Sequence, residues 1–179
     1  QVVELDARQL HLDGDDDLAL GGDTVPSIVR RSDAGTPAVA WTDASGGKCS
    51  SVAWARVDGD TRPDLVLGHC NQANNTAGFA QIILNGSGGL AASPWFVSPT
   101  GLWVNDVAMA DWDGDGDRDL FVGTLPNLGA QSRIYPQVSS AMSSTAAWTD
   151  AAGTAGKRVV GAAFGDIDLD GDLDFVVSA

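Results

Sequence analysis

Two short segments carry aspartate at every second position: Asp111-Trp-Asp113-Gly-Asp115-Gly-Asp117-Arg-Asp119 and Asp166-Ile-Asp168-Leu-Asp170-Gly-Asp172-Leu-Asp174. Carboxylates crowded this closely repel one another unless a cation lies among them. Calcium suits such a set, because it gathers about six to eight oxygen ligands in flexible geometry. Side chains at the first, third and fifth positions converge on one point, the seventh supplies its carbonyl, and the ninth closes the site with a carboxylate. Glycine at the sixth position, Gly116 and Gly171, permits the sharp turn. The candidate ligand positions are therefore Asp111, Asp113, Asp115, Asp117 and Asp119, and Asp166, Asp168, Asp170, Asp172 and Asp174. An EF-hand is excluded, since Val122 and Val177 stand where its closing glutamate belongs. Magnesium rarely uses so many protein carboxylates.

Two eroded copies share the phase. One runs Arg56-Val-Asp58-Gly-Asp60-Thr-Arg62-Pro-Asp64, and a fainter one runs from Gln9 through His11, Asp13 and Asp15 to Asp17. Arg56, Asp111 and Asp166 open successive copies at steps of 55 residues, and Gln9 precedes Arg56 by 47. In the Arg56 copy a guanidinium replaces the first carboxylate, which predicts an internal ion pair with Asp58, Asp60 or Asp64 in place of a metal. The copy at 9–17 lacks its first two carboxylates and reads as a remnant.

A fixed period means a repeat architecture. Upstream of the three later loops, residues 52–57, 107–112 and 162–167 alternate small and large, with Trp54, Met109 and Phe164 between alanines and glycines. Period-two alternation predicts a strand. Downstream, Leu65–Gly68, Leu120–Gly123 and Phe175–Ser178 predict a second strand, matched near the N-terminus by Leu18–Gly21. A third is predicted at 27–31, 81–85 and 133–138, and a fourth at 38–42, 94–98 and 146–149. Trp41, Trp95 and Trp148 recur at nearly one repeat spacing, which points to a core between repeats; Trp103 and Trp112 are left open between core and sugar stacking. Glycine, serine, asparagine and proline separate these runs, and no window shows a helical period.

The strand of small and large residues, then Asp-x-Asp-x-Asp-Gly-x-x-Asp-Leu, then a Val-Gly strand, resembles the FG-GAP/VCBS repeats of integrin α-subunit-like propellers. The resemblance is strongest at 107–123 and 162–178 and runs over the whole chain. It implies an all-β fold of β-propeller blades, each of four antiparallel strands, with a calcium loop joining the first two. About three repeats are expected, at roughly 1–50, 51–105 and 106–160, with another beginning at 161–179, in one region spanning 1–179. Closed propellers need about four to eight blades. The chain is thus expected to be a partial propeller or fragment, opening inside one repeat, with assembly through open strand edges as the alternative.

The 179 residues hold 24 acidic and 10 basic side chains, a formal charge of -14. Nucleic acid and anionic membranes are poor partners for such a surface, and no apolar run is long enough for a membrane helix. Cys49 and Cys70 flank one predicted hairpin at its open end, where a disulfide is expected. Asn74 and Asn85 head glycosylation sequons in turn-rich stretches. Bridge, sequons and calcium loops together predict an extracellular location, secreted or at the cell surface. His69 reads as an exposed histidine beside a bridge cysteine, and no nucleophile elbow, phosphate loop or zinc spacing is present. The expectation is a non-catalytic calcium-binding module for adhesion or matrix and filament assembly, with protein or glycan partners. A carbohydrate-binding module, or the scaffold of a larger extracellular enzyme, are the alternatives.

Overall fold

The computed structural model describes residues 2–8, 17–22, 26–33, 36–45, 48–70, 78–125, 131–150 and 159–178. They form antiparallel sheets with no helix among the described residues. The first sheet holds β1 (Val2–Arg8), β2 (Asp17–Gly22), β3 (Ile28–Asp33) and β4 (Thr36–Thr42) in that order. In the second sheet, β5 (Cys49–Ala55), β6 (Asp64–His69) and β7 (Phe79–Ile83) are followed by the small hairpin of β8 (Asn85–Gly86) and β9 (Gly89–Leu90), and β10 (Phe96–Val97) then closes the sheet against β7. The third repeats the plan: β11 (Val104–Ala110), β12 (Asp119–Thr124), β13 (Arg133–Tyr135), a hairpin of β14 (Gln137–Val138) and β15 (Ala141–Met142), and β16 (Trp148–Thr149). Finally β17 (Gly161–Gly165) and β18 (Asp174–Ser178) form a two-stranded ladder.

Two features differ from the sequence expectation. Val2–Arg8, where no strand is predicted, pairs with β2 as the first strand of the first sheet. In the second and third sheets the fourth strand is shorter than predicted, as is the third strand of the third sheet, since the two-residue hairpins take up part of the connection, whereas Ile28–Asp33 and Thr36–Thr42 of the first sheet run longer than predicted.

The repeat extends to irregularities. The first two strands of each full sheet shift register at the same place, between Val2 and Glu4, Cys49 and Ser51, and Val104 and Asp106. This bulge overturns the expected disulfide. Cys49 pairs with His69, so Cys70 lies one residue further along and donates its N–H to the Lys48 carbonyl at 2.7 Å. The two buried cysteines are not joined, and Cys49 Sγ lies 3.2 Å from the Ser51 carbonyl.

Successive sheets pack through their first strands, β5 against β1, β11 against β5 and β17 against β11. Alternate side chains of one strand therefore enter different cores. Val52, Trp54, Leu65 and Leu67 pack with Ala19, Val29 and Trp41 of the first sheet. Ala53, Ala55 and Val66, the opposite face of the same hairpin, pack with Val104, Val107, Leu120 and Tyr135 of the third. Phe121, Ile134 and Trp148 meet Phe164 and Phe175 of the last hairpin, with the Trp148 and Phe175 ring centroids 5.0 Å apart and edge-on. Trp41, Trp95 and Trp148 each pack at one of these junctions. The sheets approach closely where a side chain is missing: a Cβ at Gly68 would lie 2.7 Å from Val104 Cγ1, and one at Gly123 would lie 2.8 Å from Val159 Cγ1.

Polar staples recur at the same step. Ser50 Oγ donates to the Val104 carbonyl and Asn105 Nδ2 to the Val159 carbonyl, each at 2.6 Å. Val107 N–H donates to Ser51 Oγ at 3.3 Å, and Ala162 N–H donates to Asp106 Oδ2 at 2.8 Å. Ser51 Oγ donates in turn to Asp106 Oδ1 at 3.0 Å, so Asp106 ties three sheets together. Burial pushes its carboxyl above the ordinary 3.8, and the bonds from Ser51, Ala162 and Val107 only partly offset this.

Asp106→Ala strands the Ala162 N–H and should lower unfolding free energy by about 1–3 kcal/mol. Because the folded pKa is raised, the Asp106 contribution is fully present below 3.8 and is lost as pH rises through the folded value. Urea unfolding of wild type and Asp106→Asn across mildly acidic pH should show the difference moving against wild type as pH rises; parallel curves would contradict this.

Candidate metal centre

Each acidic loop joins the first strand of a sheet to the second, so the ladder fixes both its ends. The turn needs left-handed backbone at two points. At the loop's fourth position Gly59, Gly114 and Leu169 have φ of 81°, 75° and 63°, and at the sixth Gly116 and Gly171 have φ of 94° and 99°. The sixth position was anticipated from its glycines. The fourth was not, and in the last loop it places Leu169, 85% exposed, in a conformation that favours glycine.

Within the third sheet's loop, carboxylate oxygens of Asp111, Asp113 and Asp115 lie within 4.8 Å of one another. In the last loop Asp166, Asp168 and Asp174 do so. Backbone amides shape both loops: Gly116 N–H donates to Asp111 Oδ2 and Gly171 N–H to Asp166 Oδ2, each at 3.1 Å. Asp117 N–H donates to Asp115 Oδ1 at 2.9 Å and Asp172 N–H to Asp170 Oδ1 at 3.0 Å. Asp111 Oδ1 is buried, and no donor among the described residues reaches it. A buried carboxylate oxygen without a donor is costly unless a cation takes that place. The donors are all hard oxygens, so the set fits calcium.

The closing aspartates have another task. Trp112 N–H and Gln137 N–H each donate to Asp119 at 2.9 Å, one to either oxygen. Asp64 accepts from Val57 and Asn85 in the same way, both at 2.8 Å. Asp174 accepts from Ile167 N–H at 3.1 Å. This residue therefore ties the loop's second residue to the start of the second strand and, in the second and third sheets, to the first residue of the small hairpin that follows the third strand. Asp64 and Asp119 are 0% and 1% exposed. Burial pushes both carboxyls up, the amide bonds oppose the shift, and neighbouring aspartates add to it. Asp119 is not one of the three clustered residues of its loop, whereas the exposed Asp174 is. Asp117, Asp170 and Asp172 also lie outside the two clusters.

In the Arg56 copy the ion pair comes from a different residue. Arg62 Nη1 lies 3.2 Å from Asp60 Oδ2, and Arg62 N–H donates to Asp60 Oδ1 at 2.6 Å. Arg56, at the strand end, is exposed. A guanidinium two residues from Asp60 reaches it across the turn more directly than one at the loop entrance. Residues 9–16 of the faint copy lie outside the described residues; Asp17, matching Asp64 and Asp119, is 1% exposed.

The sequon positions divide. Asn74 lies outside the described residues. Asn85 is 1% exposed, and its Nδ2, the atom a glycan would occupy, donates to the Pro63 carbonyl at 3.1 Å. Attachment there requires that strand end to open.

His69 is fully buried rather than exposed. It packs on Phe79 with ring centroids 4.6 Å apart, and its Nε2 lies 3.0 Å from Gln81 Nε2 and 3.7 Å from Asp43 Oδ2. Gln81 Nε2 donates to Asp43 Oδ1 at 3.1 Å and Ser45 Oγ to Asp43 Oδ2 at 2.6 Å. These residues come from three separate segments, and no local spacing links them. Asp43, Ser45, Phe79 and Gln81, though not His69, border a cavity of about 460 Å³ between the first and second sheets, lined also by Trp41, Ile83 and Pro94. The Ser45 hydroxyl is directed at the carboxylate and not at the imidazole, so Ser45, His69 and Asp43 are not ordered for nucleophilic attack.

Compared with known proteins, the chain is matched by no protein-family model and by no curated protein.

The two kinds of aspartate should separate on substitution. Asp119→Asn replaces an acceptor by a donor facing an amide and should lower stability by about 1–3 kcal/mol with or without calcium. Asp113→Asn, on an exposed residue, should change stability by less than about 0.5 kcal/mol in chelator and reduce only the gain on adding calcium. Urea unfolding in EGTA and in calcium reads both; equal losses for the two variants in EGTA would refute the division.

Proposed function

We propose that the chain is a calcium-stabilised segment of a β-propeller of the FG-GAP/VCBS type, acting outside the cell as a non-catalytic module for adhesion or for matrix and filament assembly. The observation that carries this reading is the spatial form of the 55-residue repeat. Each acidic loop joins the first and second strands of a sheet, and the first strands of successive sheets pack side by side. Blades set around an axis would be related in this way, which supports the reading. On this reading each of the three four-stranded sheets is one blade and β17–β18 are the first two strands of another. Asp111, Asp113 and Asp115, and Asp166, Asp168 and Asp174, would hold one calcium ion each, with the ion offsetting their mutual repulsion. The Asp60 copy, already neutralised by Arg62, would hold none. Calcium here braces loops, and the surrounding blade faces do the binding.

Calorimetric titration of chelated protein should find two calcium sites, one lost in Asp113→Asn and the other in Asp168→Asn. Free calcium at about a hundred times the dissociation constant should stabilise the fold by about 2.7 kcal/mol per site. A melting temperature that does not move between EGTA and excess calcium would refute the reading.

The cavity favours a second reading, a glycan-binding module. Trp41 and Phe79 offer apolar ring faces beside the Asp43 carboxylate and Gln81 amide, and this combination suits a sugar ring. Glycan-array binding that disappears in Trp41→Ala would establish it; an array without binding would exclude it.

A further inference from the structure

His69, Gln81 and Asp43 are all buried between the first and second sheets, and neither the acidic loops nor the junction staples use them. Asp43 follows β4, His69 ends β6 and Gln81 lies in β7. Asp43 is the fixed member. Its N–H donates to the Ser27 carbonyl at 2.8 Å, Ser45 N–H donates to Oδ1 at 3.0 Å, and the Ser45 hydroxyl donates to Oδ2 at 2.6 Å. The carboxylate then decides how the Gln81 amide lies. At 3.1 Å from Asp43 Oδ1 only the NH2 end can face it, because the amide oxygen there would set two acceptors against each other. The same NH2 lies 3.0 Å from His69 Nε2. Its two hydrogens thus serve Asp43 and His69, and Nε2 has to be a bare acceptor, since a proton on it would oppose donor to donor. This arrangement belongs to the neutral imidazole with its proton on Nδ1.

A second arrangement lies close by. His69 Nε2 is 3.7 Å from Asp43 Oδ2, too long for a hydrogen bond but only about an ångström from one. A protonated ring would close that gap, because a charge-assisted bond to carboxylate is about twice as strong as a neutral one. The Gln81 amide could not then stay between them, and the cavity that it lines gives it room to turn. Three segments pack against the ring: the connection at 43–45, β5 and β7. Among the described residues they bring one carboxylate, Asp43, and one thiol, Cys49, which stands opposite His69 across the ladder with its Sγ 3.2 Å from the Ser51 carbonyl. Phe79 is opposite on β7, its ring centroid 4.6 Å away. Cys70 follows His69 and Lys48 precedes Cys49, so the cation on these strand ends is Lys48. At the next junction, Thr124, Arg133 and Ser98 take the ladder positions of His69, Gln81 and Asp43. That set has neither imidazole nor carboxylate.

We propose that His69, Gln81 and Asp43 form a proton-operated latch beneath the cavity between the first and second sheets. At neutral pH the Gln81 amide is closed over Asp43 and His69, with both its hydrogens used. When His69 takes up a proton from solvent it pairs directly with Asp43, and the amide turns into the cavity, where it offers hydrogen-bond donors that were absent before. The latch stands independently of calcium and of whether the cavity takes a glycan.

The chain has two histidines, so NMR of the 15N-labelled 179-residue protein carrying His11→Gln reads His69 alone. At neutral pH the ring should show a bare Nε2 and a protonated Nδ1. As pH falls through the His69 titration, the Gln81 side-chain amide resonances should move with the same midpoint. Their hydrogen exchange, relative to free glutamine, should quicken about tenfold or more. Gln81→Met removes the amide with little change in size and should strengthen proton binding at His69 roughly tenfold, and Asp43→Asn should weaken it by a similar factor. If Asp43→Asn does not fold, Gln81→Met and the wild-type coupling decide the matter. An Nε2–H tautomer at neutral pH would overturn the proposal, as would Gln81 resonances that stay in place while His69 titrates. So would an imidazole that stays neutral until the chain unfolds in acid.

Discussion

Each central sheet of this protein is apolar on both faces, and so none of them can bury its side chains alone. Ala53 and Trp54 are neighbours on one strand yet belong to different cores, one shared with the following sheet and one with the preceding sheet. This two-sided burial sets most other features. It demands small residues where backbones approach, as at Gly68 and Gly123. Polar bonds must also cross the junctions, because main-chain groups buried between sheets need partners. Ser51 and Asp106 supply these bonds at equivalent positions with different chemistry.

The aspartates of each loop divide their work by burial. Those early in the loop are largely exposed, cluster with one another and fit a cation. The last one, where it is buried in the second and third sheets, accepts two main-chain N–H groups and fixes the loop to the strands beside it. The loop of Asp60 makes the separation visible. It has lost the first carboxylate and the sixth-position glycine, and Arg62 compensates Asp60, but Asp64 keeps both amide bonds. The closing aspartate is thus maintained in a loop whose other carboxylates no longer cluster.

Much of the fold was legible because its signals are local. Alternation around Trp54, Met109 and Phe164 marks strands, the glycines and aspartates mark the turns between them, and the constant step shows that the unit repeats. In Val2–Arg8 the residues Val3, Leu5 and Ala7 alternate with Glu4, Asp6 and Arg8, so this strand was legible too, and only the erosion of its loop hid it. The register shift at Ser50 was also invisible, and that shift separates Cys49 from Cys70. A bulge reflects the fit of one sheet against the next, and hairpin composition carries little trace of it.

The sequence by itself determined which carboxylates are available to a metal, where each loop begins, and that one architecture recurs at steps of 47, 55 and 55 residues. These follow from spacing, since a period and a turn are properties of neighbouring residues. Only the tertiary structure decided that Asp119 is a buried brace, that Arg62 rather than Arg56 neutralises Asp60, and that His69 lies buried beside Asp43 and Gln81. Each of these depends on which distant backbone amides and side chains the packed sheets bring within a few ångströms, and no spacing along the chain encodes that distance.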